Sequence, residues 1–143
     1  MMKILLAVDG SESAVRATRK LIETAGWYKE SPTVELVAVH LPVPTVGFAD
    51  LVVSRQMIER YYQEEGERML AATRRLLDAA GIPYVPHILI GQIAQTIVEH
   101  AHKSGCQMIC MGTRGMTALP NLVMGSTATK VLHLAEVPVL LVH

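Results

Sequence analysis

Aromatic residues, net charge and cysteine are all scarce in this 143-residue chain. It has one Phe, one Trp and four Tyr, although 50% of its residues are hydrophobic, so its core must consist mainly of aliphatic side chains and Met. Lys plus Arg and Asp plus Glu both number 13, which gives a formal net charge of zero and no basic excess that would indicate a nucleic-acid partner. The length is typical of one domain, which we expect to span residues 1–143.

Long apolar runs are also missing. The N-terminal run from Ile4 to Val8 ends at Asp9 and is too short for a signal peptide or a membrane span. We therefore expect a cytoplasmic protein with no membrane partner.

Cys106 and Cys110 lie four positions apart in a segment predicted as a strand, which separates them by about 13 Å at about 3.3 Å per residue. A disulfide requires Cα atoms within about 7 Å, so both cysteines are expected to be buried thiols.

Short apolar segments alternate along the chain with longer helical patterns. The predicted strands are Lys3–Val8, Val34–His40, Tyr84–Ile90, Gln107–Met111 and Val137–Val142. The predicted helices run from the cap Ser11 to about Gly26, from about Ser54 to Gly81, from Ile93 to Gly105, and onward from Ser126. Near-continuous apolar strands between helices are typical of a parallel sheet covered on both faces. We predict a single-domain, doubly wound α/β fold, Rossmann-like, with five parallel strands in the order 3-2-1-4-5. The proline-containing loop Leu41–Val53 is a candidate flap over a site.

The segment Gly112–Thr127, GTRGMTALPNLVMGST, has the composition of a phosphate-binding loop. Its glycines are Gly112, Gly115 and Gly125. Glycines allow tight backbone turns and leave amide N–H groups free to point at one anion. The hydroxyls of Ser126 and Thr127 follow, and a helix that starts at Ser126 adds free N–H groups and the positive end of its dipole. The segment therefore predicts nucleotide binding.

Ligands of doubly wound sheets bind outside the carboxyl ends of the strands, where the winding reverses. Asp9, His40 and Gly112 end the first, second and fourth predicted strands and should lie along this edge. If the first and fourth strands are neighbours, Asp9 shares a crevice with the glycine segment. Its carboxylate can then meet a ribose hydroxyl or a metal ion on phosphates. The sequence Asp9-Gly10-Ser11 can equally form only a turn and a helix cap.

Several other motifs are not present. No Gly-Lys-Ser or Gly-Lys-Thr follows the glycines, and Lys130 lies five residues beyond Gly125, so the loop is not of the Walker type. The first strand is followed by DGSES, which does not have the glycine spacing of a dinucleotide site. His100 and His102 are two apart on a predicted helix and point to different sides, and the other histidines show no ligand spacing. We therefore expect no metal site made by histidines.

The spacing of the glycine segment is specific. This chain resembles the nucleotide-binding universal stress proteins, whose pattern is a glycine, two residues, a glycine, nine residues, and then a glycine followed by Ser or Thr. Here the pattern is formed by Gly112, Gly115, Gly125 and Ser126. The resemblance covers essentially the whole chain, because the opening KILLAVDGS, the strand ending VAVH, the segment MICMGTRG and the closing VPVLLV also agree with that family.

The resemblance implies a binding site for ATP, with Mg2+ or Mn2+. Its predicted residues are Ala7, Asp9, Val39, Met111, Gly112, Arg114, Gly115, Gly125, Ser126 and Thr127. Asp9 would lie near the ribose and phosphates, and the backbone of Val39 would meet the adenine. Arg114 would contact phosphate, although it can also be an ordinary solvated charge of the loop.

The resemblance also implies a homodimer that pairs the last strand, Val137–Val142, with a second copy. That segment is apolar and has no charge to protect an exposed edge.

We predict a nucleotide-sensing regulator of the stress response that does not catalyse a reaction. The alternatives are a slow ATP hydrolase or phosphoryl-transfer enzyme, and a dimeric scaffold with a vestigial pocket. Catalysis is less favoured because phosphoryl transfer needs concentrated positive charge and an oriented nucleophile, and only Arg114, with Asp9 or His40 as a base, is evident.

Overall fold

The computed structural model of the chain describes residues 1–44, 52–114 and 124–143. Its strands are β1 (Lys3–Ala7), β2 (Thr33–His40), β3 (Tyr84–Ile90), β4 (Met108–Gly112) and β5 (Val139–Val142). Its helices are α1 (Glu12–Thr24), α2 (Val52–Ala80), α3 (Ile93–Lys103) and α4 (Ser126–Leu134), and a 3-10 turn, Ala25–Trp27, follows α1. Every predicted element is present within a few residues of its predicted bounds. The last strand starts at Val139 and not at Val137, and Pro138 directly precedes it.

The strands form one parallel sheet in the order β3-β2-β1-β4-β5, so the predicted doubly wound topology and strand order are confirmed. β1 lies in the middle, and its Ile4 is in register with Val34 of β2 on one side and with Met108 of β4 on the other. The chain winds outward from β1 to β3 and then crosses back to β4. The winding therefore reverses between β1 and β4, which is where such sheets bind ligands.

Each face of the sheet has its own hydrophobic core, because successive side chains of a strand point to opposite faces. Ile4, Leu6 and Leu36 belong to a cluster that packs against α1 and α2. Leu5, Ala7 and Val37 belong to a second cluster, beneath α3 and α4. None of the helices in the described part of the chain is long and apolar enough to cross a membrane.

Both cysteines are free and buried, as predicted. Cys110 lies in β4, but Cys106 precedes that strand, which corrects the prediction that both lie in it. Burial raises the pKa of the Cys110 thiol to about 12. Burial, followed by the nearby negative charge of Glu35, raises the pKa of the Cys106 thiol to about 11. Both side chains are therefore uncharged thiols at neutral pH.

Candidate functional site

A cavity of about 750 Å³ opens at the carboxyl ends of β1 and β4. It lies where the winding of the sheet reverses, as the topology predicts. The predicted residues that line it are Ala7, Asp9, Val39, Met111, Gly112, Arg114, Gly125, Ser126 and Thr127. The tenth predicted residue, Gly115, and residues 45–51 of the candidate flap lie outside the described residues. A larger cavity of about 990 Å³ lies along α3, but it contains none of the predicted residues.

Asp9 has both of the roles that its sequence context allows. Its Oδ1 accepts a hydrogen bond of 2.9 Å from the backbone N–H of Ser11, which is the local turn. Ser11 Oγ in turn accepts a hydrogen bond of 3.1 Å from Ala14 N–H and so caps α1. Asp9 nevertheless lines the cavity, because β1 ends beside β4 and directs the following residues into the crevice. The turn fixes the carboxylate at the cavity wall.

Gly112 is required for close packing, not for a turn. A Cβ atom at this position would lie 2.1 Å from Ser13 Oγ and 2.7 Å from the Ser13 carbonyl oxygen. Arg114, two residues after Gly112, also contacts Ser13, because its backbone N–H donates a hydrogen bond of 3.2 Å to Ser13 Oγ. The end of β4 thus lies directly against the first turn of α1. This differs from the prediction that Gly112 serves to bend the backbone.

The N-terminus of α4 faces the cavity and is not capped by a side chain. Gly125 is the N-cap residue, and Ser126 and Thr127 begin the helix, as predicted. The carbonyl oxygen of Gly125 accepts hydrogen bonds of 3.1 Å from the backbone N–H and 3.0 Å from the hydroxyl of Thr129. Gly125 N–H donates to the carbonyl oxygen of Thr113. Because no side chain caps this end in the described structure, the first N–H groups of α4 are available to an anion.

Among the described residues, three cationic side chains line the cavity. Nε of Arg114 is buried and has no hydrogen-bond partner in the described part of the chain. Lys130 lies one helical turn beyond Ser126 on α4, and Arg68 extends from α2 while it pairs with Glu65 at 2.7 Å. The sequence motif indicates Arg114 alone as a source of positive charge. The four-residue spacing between Ser126 and Lys130 could have indicated Lys130, whereas nothing in the sequence pointed to Arg68.

Another part of the cavity lining is apolar. It consists of Val37, Val39, Ile93, Ile97 and Met111. His40 follows Val39 directly, and its side chain points to the other face of the sheet, where its ring lies 5.5 Å from the rings of Tyr61 and Tyr62. His40 ends β2, as predicted, but it does not line the cavity, because adjacent residues of a strand face opposite sides.

A model of the universal stress protein family matches the chain over residues 1–143. The chain belongs to the universal stress protein family. It is 32% identical over 142 residues to a universal stress protein of Methanocaldococcus jannaschii, and the match covers 98% of this chain and 81% of that protein. The family resemblance found in the sequence is thereby confirmed.

Solved structures show the same universal stress protein fold. The structure of the hypothetical protein MJ0577 superposes with a TM-score of 0.84 at 24% identity and covers 99% of this chain and 94% of that one. The universal stress protein of Archaeoglobus fulgidus, solved in complex with dAMP, superposes with a TM-score of 0.65 at 23% identity, over 100% of this chain and 98% of that one.

Proposed function

We propose that the cavity binds an adenine nucleotide, ATP in particular, and that the protein is a dimeric nucleotide-sensing regulator of the stress response that performs no efficient chemistry. One observation supports this proposal above the others. The cavity at the β1–β4 switch point combines apolar lining residues with a helix N-terminus and an arginine Nε that is buried, and within the described residues no side chain caps this helix or bonds to this Nε.

The cationic end fits a polyphosphate. A buried guanidinium N–H without a partner is costly, and an anionic oxygen would satisfy it with a charge-assisted hydrogen bond. The N-terminus of α4 supplies backbone N–H groups and the positive end of a dipole to the same volume. Lys130 and Arg68 also line it. A chain of phosphates, with several charged oxygens, fits this arrangement better than a single carboxylate does.

The apolar end fits a base. Val39 and Met111 are buried, and with Ile97 they give the cavity aliphatic lining against which a purine can pack. A volume of about 750 Å³ is adequate for a nucleotide. The Archaeoglobus fulgidus relative holds dAMP, which supports adenine as the base. Asp9 also lines the cavity, and its carboxylate suits a ribose hydroxyl.

The residues also fit a divalent ion that accompanies the triphosphate. Mg2+ and Mn2+ prefer oxygen ligands, and Asp9 offers a carboxylate in the lining of the same cavity. When bound, such an ion would neutralise phosphate charge. Asp9 and the hydroxyls of Ser126 and Thr127 are the side chains that could hold it.

Binding without efficient turnover is favoured over the hydrolase alternative. Phosphoryl transfer needs a positioned base or a group that orients water. His40 faces the opposite side of the sheet, and Asp9 already accepts a hydrogen bond from Ser11 N–H through Oδ1. Asp9 is also the one carboxylate among the described residues that line the cavity. A cytoplasmic location stays a prediction.

The homodimer is proposed from the unequal protection of the two sheet edges. β3, at one edge, contains Pro86, whose missing N–H prevents pairing with another strand. β5, at the other edge, is short and entirely apolar, and Val139, Leu140 and Leu141 are only partly buried. An unprotected apolar edge strand can pair with the edge strand of another chain. We therefore assign β5 to the dimer interface.

We expect the purified protein to retain an adenine nucleotide or to bind ATP with micromolar affinity. Mass spectrometry of the copurifying small molecule identifies the ligand, and titration calorimetry of the stripped protein with ATP, GTP and adenosine measures the preference. Binding of GTP as tight as that of ATP would contradict the adenine assignment. Turnover of ATP with Mg2+ that is lost in Asp9→Asn, with affinity retained, would favour the hydrolase.

Leu141→Pro is expected to convert the dimer into a monomer. Pro138 and Val142 direct their carbonyl oxygens to β4, so the backbone N–H of Leu141 points to the free edge. Light scattering after size exclusion measures the mass, and Ile90→Pro on the opposite edge strand is the matched control. A wild-type monomer, or a dimer that survives Leu141→Pro but not Ile90→Pro, would show that β5 is not the interface.

A further inference from the structure

Three polar side chains meet on the face of the sheet that α3 covers, away from the nucleotide cavity. Glu35 extends from β2, His87 from β3 and His100 from α3, and one potential ligand atom of each lies within 4.8 Å of the other two. None of the three lines the 750 Å³ cavity. Their neighbours on this face of the sheet, including Leu5 and Val37, form an apolar core, so the polar group is an exception that needs an explanation.

The geometry directs two imidazoles at one carboxylate oxygen. His87 Nε2 is in close contact with Glu35 Oε2, and His100 Nε2 lies 3.5 Å from the same oxygen. The centroids of the two imidazole rings are 4.4 Å apart at an angle of 57°. The side chains of Glu35 and His100 are 12% and 13% exposed and that of His87 is 28% exposed, so the group is sheltered but open to solvent on the His87 side.

We propose that Glu35, His87 and His100 form a binding site for a first-row divalent cation of the zinc class. Two imidazole nitrogens and one carboxylate oxygen are a common three-ligand set for Zn2+, with water as the fourth ligand. Tetrahedral ligands at 2.0–2.1 Å from an ion lie roughly 3.3 Å apart, so small side-chain rotations bring these three atoms into place. Hard ions such as Mg2+ prefer oxygen ligands, which distinguishes this site from the triphosphate end of the cavity.

Lys3 contacts the other carboxylate oxygen of Glu35, so it does not compete with an ion for Oε2, the oxygen that the two histidines share. Lys3 Nζ lies 3.9 Å from Oε1 of Glu35, the oxygen that does not contact the histidines. The same ammonium donates a hydrogen bond of 2.9 Å to the carbonyl oxygen of Ser104 and is held there. The hydroxyl of Ser104 lies 3.1 Å from His100 Nε2 and must give up this contact when an ion binds.

The consequence of such an ion is structural. The three ligands belong to three elements, and α3 is attached to β2 and β3 on this face of the sheet. An ion that binds the folded protein alone stabilises it by mass action. Zn2+ at a hundredfold excess over its Kd is therefore expected to raise the Tm by about 5 to 10 °C.

The test is titration of the intact, EDTA-stripped protein with Zn2+ alone. We expect one saturable ion per chain. Even outer-shell partners of a metal site alter affinity about 10- to 100-fold, so each of Glu35→Gln, His87→Ala and His100→Ala is expected to weaken Zn2+ binding by about 100-fold or more. Ser104→Ala and His102→Ala are the matched controls, and both should bind at least as tightly as the wild type.

Urea unfolding in EDTA shows whether each variant is folded, and His87→Ala, at the most exposed position of the three, is the variant best placed to remain so. Zn2+ should raise the Tm of the wild type and of Ser104→Ala, but not that of folded His87→Ala. Absence of stoichiometric Zn2+ uptake by the wild type, or unchanged affinity in folded His87→Ala, would show that the three residues form a hydrogen-bonded polar cluster only.

Discussion

Replacing Arg114 and Lys130 together by glutamine is expected to weaken ATP binding by about 100-fold or more, with the affinity for adenosine close to that of the wild type. A hydrogen bond to a charged group contributes about 1.5–3 kcal/mol, and about 1.4 kcal/mol corresponds to a tenfold change in Kd. Nε of Arg114 is buried and has no hydrogen-bond partner among the described residues, and Lys130 lies in the first turns of α4, so both substitutions are expected to weaken contacts with the phosphates. Titration calorimetry with ATP, AMP and adenosine measures how the loss grows with the number of phosphates.

The matched control is Arg19→Gln with Lys29→Gln, which removes the same charge from exposed positions outside the cavity. This control should leave ATP affinity within about threefold of the wild type, because distant surface charges are screened by salt. If the Arg114 and Lys130 variant lost affinity equally for adenosine and for ATP, the substitutions would have disturbed the structure of the cavity and not contacts with the phosphates. Unchanged ATP affinity would show that the phosphates do not lie at the N-terminus of α4.

Gly112→Ala is expected to lower the free energy of unfolding by about 3 kcal/mol and to weaken nucleotide binding. Overpacking a close contact costs about 1–3 kcal/mol and occasionally more. The added Cβ would meet the backbone of Ser13 at 2.7 Å and 2.8 Å, and backbone cannot rotate away as a flexible side chain can. Urea unfolding followed by circular dichroism measures the loss.

Two comparisons separate this effect from a general intolerance of alanine. Gly26→Ala adds a Cβ that meets nothing within 4 Å and should change stability by less than about 0.5 kcal/mol. The double variant Gly112→Ala with Ser13→Ala removes the contact with Ser13 Oγ but not the backbone contacts, and it should remain destabilised. Full recovery in the double variant would mean that the hydroxyl, and not the backbone approach, requires glycine.

Much of the fold could be predicted because local and global signals agree. The alternation of apolar strands with capped helices specifies a parallel sheet, and the glycines after the strand at Met111 specify the edge at which the site lies. The strand pattern correctly predicts His40 at the carboxyl end of β2, but the alternation of side chains along the strand keeps it out of the cavity. Val39 and His40 end the same strand, yet one faces the cavity and the other faces Tyr61 and Tyr62.

The remaining features depend on contacts between residues far apart in sequence. Arg68 reaches the cavity from the middle of α2, a position that its own helix pattern does not reveal. Glu35, His87 and His100 lie on three different elements, so no local spacing could show that their ligand atoms converge. The requirement for glycine at position 112 likewise arises from α1, which is remote in the chain but adjacent in space.

Thr113 joins the edge strand to the helix that faces the cavity. Its N–H donates a hydrogen bond of 3.1 Å to the carbonyl oxygen of Val142 in β5, and its own carbonyl oxygen accepts from Gly125 N–H at the start of α4. If β5 pairs with a second copy as proposed, a movement of β5 would reach the N-terminus of α4 through this one residue. Since coupling between two binding events is reciprocal, a nucleotide that tightens the dimer must itself be bound more tightly as the protein concentration rises. Occupancy of the cavity would then report on the abundance of the protein as well as on that of the nucleotide.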